Sequence, residues 1–400
     1  MPLDRHVQAI EVEPEVRRHG HTQRDERERG SRDAGTAEST PTSEKPESKL
    51  FYTPDGRWWA VLGVGGSGLH LHELVDHTWQ ARVALPGSAP WYRADALFHA
   101  RSRTLFVAAR DDRPTPGPTG GVALYRMRYR GEGAWTTPRG PSVIPGSAPE
   151  TVTIARDGKR RLWTTWEGGG NVRVQATRPG RLSFSDVRPP ARGLTEDDIS
   201  AITAFGSRRS GKIGVLWSDQ ATGRFRFAWR RDGERRGRWH VETAYGAGLG
   251  CESQCADDHI NMKVIGNSVY AVVKTSRNDI PSPNPADPLI VLLRRNPRGR
   301  WNAFPVSPVS LNSTRPALLL APRLDAIWVF ARAERGDIAV WESRFGSPAF
   351  DSGAFSSWTG AAGNFGDPTT TRQPIPPGRG AVVATAKIDA GEYWHNEFLP

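Results

Sequence analysis

The amino-acid sequence predicts an all-β chain, folded as a single β-propeller of four-stranded antiparallel blades, seven by count with six as the alternative. Three observations predict it. Short runs rich in β-branched and aromatic residues alternate with period two, and no stretch carries a convincing helical stripe. Gly 42 and Pro 32 among 400 residues supply the turns that many short strands need. A strongly apolar strand then recurs at a spacing of roughly 44 to 61 residues, in the range of propeller blades.

Residues 1–48 are mixed-charge and rich in Ser, Thr and Pro, without periodic apolar content, so they are expected to form a disordered tail. They contain no apolar h-region of a signal peptide. The propeller is expected over residues 49–400. Its second strands read RWWAVLGV (57–64), TLFVAARD (104–111), RLWTTWEG (161–168), KIGVLWSD (212–219), SVYAVVKTS (268–276), AIWVFARA (326–333) and GAVVATAKI (380–388). Third strands such as GLHLHELV, GVALYRMRY and DIAVWESRF follow most of them. First strands are placed near Lys49, Arg93, Thr151, Ile199, Ile260, Thr314 and Thr371. The last unit has no obvious fourth strand, which leaves the N-terminal segment to close the ring and remove the exposed sheet edges.

A turn followed by a tryptophan introduces several fourth strands: Asp76–Trp79, Gly131–Trp135, Asp232–Trp239 and Asn296–Trp301. The Asp or Asn suits turn amides and the Trp suits packing between blades. In this pattern the chain resembles the sialidase-like superfamily of β-propellers over about residues 49–400. The resemblance implies fold, and it implies export to the cell envelope or exterior. It does not imply sialidase chemistry: the first blade opens KLFYTPDG without the family's arginine, and no three-arginine cluster can be assembled. The chain looks more like secreted bacterial propellers of the same superfamily.

Composition narrows the function classes. No apolar run approaches the roughly eighteen residues of a membrane span. The formal net charge of +11 favours a polyanionic partner. Without a nucleic-acid-binding motif, an acidic glycan ranks ahead of nucleic acid. No cofactor signature occurs, and a single ring is expected to be monomeric. Cys251 and Cys255 are the two cysteines. Their spacing suits a small disulfide loop, which would place the protein in an oxidising compartment; free thiols, or a metal site recruiting His259, are the alternatives.

The cysteines open the stretch CESQCADDHINMK (251–263), which concentrates the chemistry. After Asp258, residues His259, Asn261 and Lys263 alternate with Ile260, Met262 and Val264, so one strand face carries three different polar groups. Propeller geometry brings first-strand entries and second-strand exits to one face around the axis. Those positions hold Asp198, Asp257, Asp258, His259, Arg315 and Arg372 at entries, and Glu167, Asp219 and Lys274 at exits. Paired carboxylates suit acid–base or nucleophilic work on glycosides. His259 suits a general base. In a uronate lyase, Lys274 would neutralise the substrate carboxylate while His259 takes the proton. The expected function is therefore a glycoside hydrolase or polysaccharide lyase acting on an acidic polymer. Asp258, His259, Asp198 and Lys274 are the catalytic candidates; Arg315, Arg372, Asn261, Lys263, Asp257, Asp219 and Glu167 are the substrate-binding ones. A non-catalytic glycan- or protein-binding propeller is the alternative.

Overall fold

The computed structural model describes residue 42 and residues 45–64, 66–89, 91–111, 121–145, 149–207, 210–234, 238–248, 250–351, 356–357, 364–387 and 392–398. Six antiparallel blades cover residues 50–84, 92–145, 153–187, 200–245, 260–308 and 314–357. Each has four strands in sequence order except the second, whose long third strand pairs with two short outer strands. A seventh sheet, Ala381–Lys387 with Glu392–Phe398, has two strands among the described residues. No described helix is long and apolar enough to cross a membrane.

The apolar runs became the second strands as their alternation required: Trp58–Val64, Thr104–Asp111, Leu162–Glu167, Lys212–Asp219, Ser268–Lys274, Ala326–Arg332 and Ala381–Lys387. Both faces of such a strand are covered by neighbouring sheets, so almost every residue in it is buried. Each seam between consecutive sheets holds its own apolar cluster, and the largest spans the sixth, seventh and first sheets. The turn tryptophans Trp79 and Trp301 are core residues, and Asn296 accepts from the amides of Arg298 and Arg300 at 3.0 Å each. Trp58, Trp166 and Trp217 are likewise buried in the seams, so none of them offers a face for a sugar to stack on.

Two expectations are corrected at the ring closure. The innermost segment of the last sheet begins well before Thr371, because Phe365 bridges Lys387 and Thr369 bridges Ala384. The boundary at Lys49 also moves, since Glu47, Ser48 and Lys49 are buried. These residues run along the channel ahead of the first strand, Leu50–Tyr52, and Ser48 both donates to Asp95 and accepts from Ala96. Residues 42, 45 and 46 lie across the channel mouth, with Thr42 accepting from the Ala386 amide at 2.9 Å. Residues 1–41 lie outside the described part of the chain.

Cys251 and Cys255 are joined, with Cα atoms 5.9 Å apart, inside the cluster between the fourth and fifth blades. A loop this short removes little chain entropy, so replacing both by Ser should cost about 2 kcal/mol in denaturant unfolding. An unchanged midpoint would show that the crosslink contributes nothing to the seam.

Candidate functional site

The stretch after the disulfide folds as the sequence pattern suggests. Ile260–Ile265 is the inner strand of the fifth blade, and Ile260 and Met262 face the seam cluster. The alternate residues face the channel. Just above the strand, the Lys274 amide donates to the His259 carbonyl and the Asp257 amide to the Lys274 carbonyl, at 3.3 and 3.2 Å. This local ladder fixes where the three side chains meet.

His259 Nδ1 lies against Asp257 Oδ1 and is 2.7 Å from Asp258 Oδ1. Carboxylates only accept, so Nδ1 carries the proton. Nε2 then faces the Thr314 hydroxyl at 3.2 Å as an acceptor. Lys274 Nζ pairs with the second oxygen of Asp257. Burial would raise the Asp257 pKa, but the hydrogen bond and charge of His259, followed by Lys274, overcome it and leave it at about 2. Burial also lowers the His259 pKa; Asp257 opposes this, while Lys45 and Lys274 add to it. The result is an ionised aspartate holding a neutral imidazole in one tautomer.

Lys45, from the segment across the mouth, places its ammonium between Asp258 and Glu150 of the third blade's entry, 2.5 Å from Glu150 Oε1. Oxygens of Glu150, Asp197 and Asp258 lie within 4.8 Å of one another, as do ligand atoms of Asp257, Asp258 and His259. Either trio has the donors for a cation, but the Lys45 and Lys274 ammoniums already neutralise them.

The remaining sequence candidates divide by depth. Arg315 is at the mouth, where a bulge and a left-handed backbone (φ 58°) open the sixth inner strand, and it donates to Asp367 at 2.9 Å. Asp219 caps a 3-10 turn and holds Arg226 at 3.0 Å, while Glu167 accepts from the Gly170 amide at 2.8 Å. Burial raises the Glu167 pKa, its backbone hydrogen bonds oppose that, and Asp198 and Glu196 raise it further. Asp198 is not part of the His259 cluster: it is fully buried and satisfies the Thr195 amide and hydroxyl and the Gln220 amide.

Arg372, Asn261 and Lys263 sit deeper. Asn261 accepts from the Leu318 amide at 3.1 Å and donates to the Lys45 carbonyl at 3.4 Å. Lys263 donates to Ser48 Oγ at 2.7 Å. The sequence pattern places Arg372 at the mouth, but the last inner segment begins before Thr371, which carries Arg372 below the entry. It binds Asp95 and the Ile154 carbonyl within the channel, and Asp367 occupies the entry position instead. Asp95 also accepts from the Ser48 and Ile154 amides at 2.9 and 2.8 Å, so one buried carboxylate joins four separate segments around the axis.

Lys45, Thr314, Asp95 and Asp367 were missed. Thr314 and Asp367 obey the same entry rule that found Arg315. Asp95 shows as a lone acid in the alternating strand YRADALFH. Nothing around Lys45 distinguishes it from the polar tail.

No protein-family model and no curated protein matches the chain. Among solved structures, the BP39L lectin from Burkholderia pseudomallei superposes with a TM-score of 0.52 at 16% identity, over 78% of this chain and 83% of that one. The likeness is one of fold. It supports a propeller independently of the strand count. A prolyl endopeptidase aligns over 92% of this chain but 51% of its own, with TM-score 0.48 and 11% identity. The chain thus spans about half the length of that enzyme. An α-L-arabinanase from Penicillium chrysogenum aligns over 78% of this chain and 99% of its own, with TM-score 0.46 and 11% identity.

Proposed function

We propose that the protein is a carbohydrate-directed propeller acting on an acidic polysaccharide at the mouth of its channel, with His259 as the proton-transfer group. The observation that carries this reading is the His259 constellation: a neutral imidazole, held by ionised Asp257, presenting Nε2 to a hydroxyl. That is the state a general base needs near neutral pH. Asp257 orients the ring and stabilises the imidazolium formed after proton transfer. In a uronate polymer, Arg315 and Lys274 would face the substrate carboxylate while His259 takes the ring proton. In a hydrolase, Asp258 would take part in acid–base work on the glycosidic oxygen. The sialidase-like resemblance and a secreted location belong to this same reading. The glycan class is further supported by the lectin-like fold.

Lys45 covers the carboxylates in the described arrangement, so a sugar reaching His259 has to displace it. Purified protein tested on a polysaccharide panel should release new reducing ends or unsaturated uronates. His259→Ala should lower turnover by about 10²–10⁴, the usual worth of general acid–base catalysis, without a large fall in melting temperature. Lys45→Ala should raise it. Activity retained in His259→Ala would sink the catalytic role.

A specific observation also favours a second reading. Asn261, Lys263 and Arg372 all bind other parts of the ring or the N-terminal segment. Their polar groups are spent on the fold rather than offered to a ligand, which fits a non-catalytic binder that uses its rim. Glycan binding without turnover by either wild type or Lys45→Ala would select it.

A further inference from the structure

The ring-closing seam carries a second cluster of chemically competent side chains, remote in sequence from the His259 centre. His77 stands at the tip of the turn joining Gly68–Val75 to Thr78–Ala84 in the first blade. His395 and Glu397 lie two apart on the last strand, Glu392–Phe398, and so project from the same face of it. Across the seam, His77 Nδ1 is 2.8 Å from Glu397 Oε1, and His395 Nε2 is 3.5 Å from the same oxygen. Ligand atoms of all three residues lie within 4.8 Å of one another.

We infer that His77, His395 and Glu397 form a binding site for a divalent transition-metal ion of the zinc class, stapling the first blade to the last. Two imidazoles and a carboxylate are a borderline donor set that suits zinc, cobalt or nickel rather than calcium or magnesium. Tetrahedral coordination with arms of 2.0–2.2 Å places ligand atoms about 3.3 Å apart. The two contacts to Glu397, at 2.8 and 3.5 Å, bracket that spacing, and the two imidazole nitrogens lie within 4.8 Å of each other, so side-chain shifts of at most about 1.5 Å close the set. Three protein ligands leave the fourth position for water.

The setting supports the donors. The His395 side chain is 2% exposed and packs edge-on against Trp79, with ring centroids 5.6 Å apart at 77°. Its Nδ1 is buried without a hydrogen-bond partner. Coordination through Nε2 would fix the proton on Nδ1, so the tautomer is set, and the Trp79 contact holds the ring with Nε2 turned toward Glu397. His77 and Glu397 remain accessible, which gives an ion a path in. Elsewhere the seam is joined by apolar packing, by the Leu50–Thr371 bridge and by the paired hydrogen bonds of Tyr393 with Gly63. A metal bridge there would act on the closure of the ring itself.

The test uses untagged full-length protein stripped with chelator and titrated with Zn²⁺ by calorimetry, and with Co²⁺ by absorbance. One equivalent should bind, Co²⁺ should give the visible bands of a tetrahedral N/O site, and the melting temperature should rise with free metal as mass action requires. His77→Ala and Glu397→Gln change exposed groups and so should fold normally. Each should weaken binding at least tenfold and abolish the thermal shift. Absence of Zn²⁺ binding by the wild type would overturn the proposal, as would binding of unchanged affinity in both variants. His259→Ala should retain the equivalent; its loss there would place the metal at the channel mouth and likewise overturn the assignment.

Discussion

Replacing Asp95 by Ala should destabilise the protein by about 3–5 kcal/mol, the cost of removing one member of a buried, hydrogen-bonded charge group. Asp95 is fully buried and receives the amides of Ser48 and Ile154 and the guanidinium of Arg372. Burial raises its pKa, and Arg372 is the first of the groups that pull it back. The deletion leaves Arg372 facing a void and Lys263 without its attractive neighbour. Burial already pushes the Lys263 pKa well down, and Arg372 pushes it further. Urea unfolding read by tryptophan fluorescence gives the loss, provided the slope is unchanged. Arg344→Ala removes the exposed partner of Asp325 on a blade edge and should leave the midpoint near that of the parent. A loss below about 1 kcal/mol for Asp95→Ala would show that the axial charges are dispensable to the ring.

That hub also shows where sequence reasoning runs out. The blades were legible because each second strand is buried on both faces, and a run such as AIWVFAR has no other stable place. The His259 row was legible because alternation in INMK assigns faces without knowledge of partners. Which entries meet across the axis was harder to read. The segment 364–371 carries no apolar run and its bridges to Lys387 and Ala384 are isolated, so pattern alone starts the strand late and places Arg372 at the mouth. Lys45 could not be found at all. Its position depends on the end of a polar tail crossing a channel whose walls come from residues more than a hundred positions away. Local composition correctly says that such a segment cannot form a core. It does not say that a core formed by others will bury it.

Lowering the pH should weaken the fold through His72, by about 3 kcal/mol between neutrality and pH 4. His72 lies in the third strand of the first blade opposite Ala60, with the Tyr393 ring 6.4 Å away and the His70 ring 6.3 Å away. Its Nδ1 is 3.2 Å from the His70 carbonyl and so carries the proton, while Nε2 is buried with no partner. A second proton would meet no acceptor there. Burial accordingly lowers the pKa from 6.5 to about 4; the His70 carbonyl opposes this and the His70 ring adds to it. The sign follows from linkage. Below 6.5 the unfolded chain takes a proton that the folded chain refuses until about 4, so stability is intact above the unfolded value and drains away as pH falls toward 4. At 1.36 kcal/mol per unit the loss reaches about 3 kcal/mol by pH 4. His72→Asn keeps a donor for the His70 carbonyl but cannot titrate. Unfolding free energies of both proteins at pH 7.5 and 4, measured with chelator present so that no metal at His77 and His395 intervenes, give the comparison. The wild type should lose about 3 kcal/mol more than the variant across that interval. Equal losses would mean that His72 takes up its proton as readily in the folded ring as in the unfolded chain.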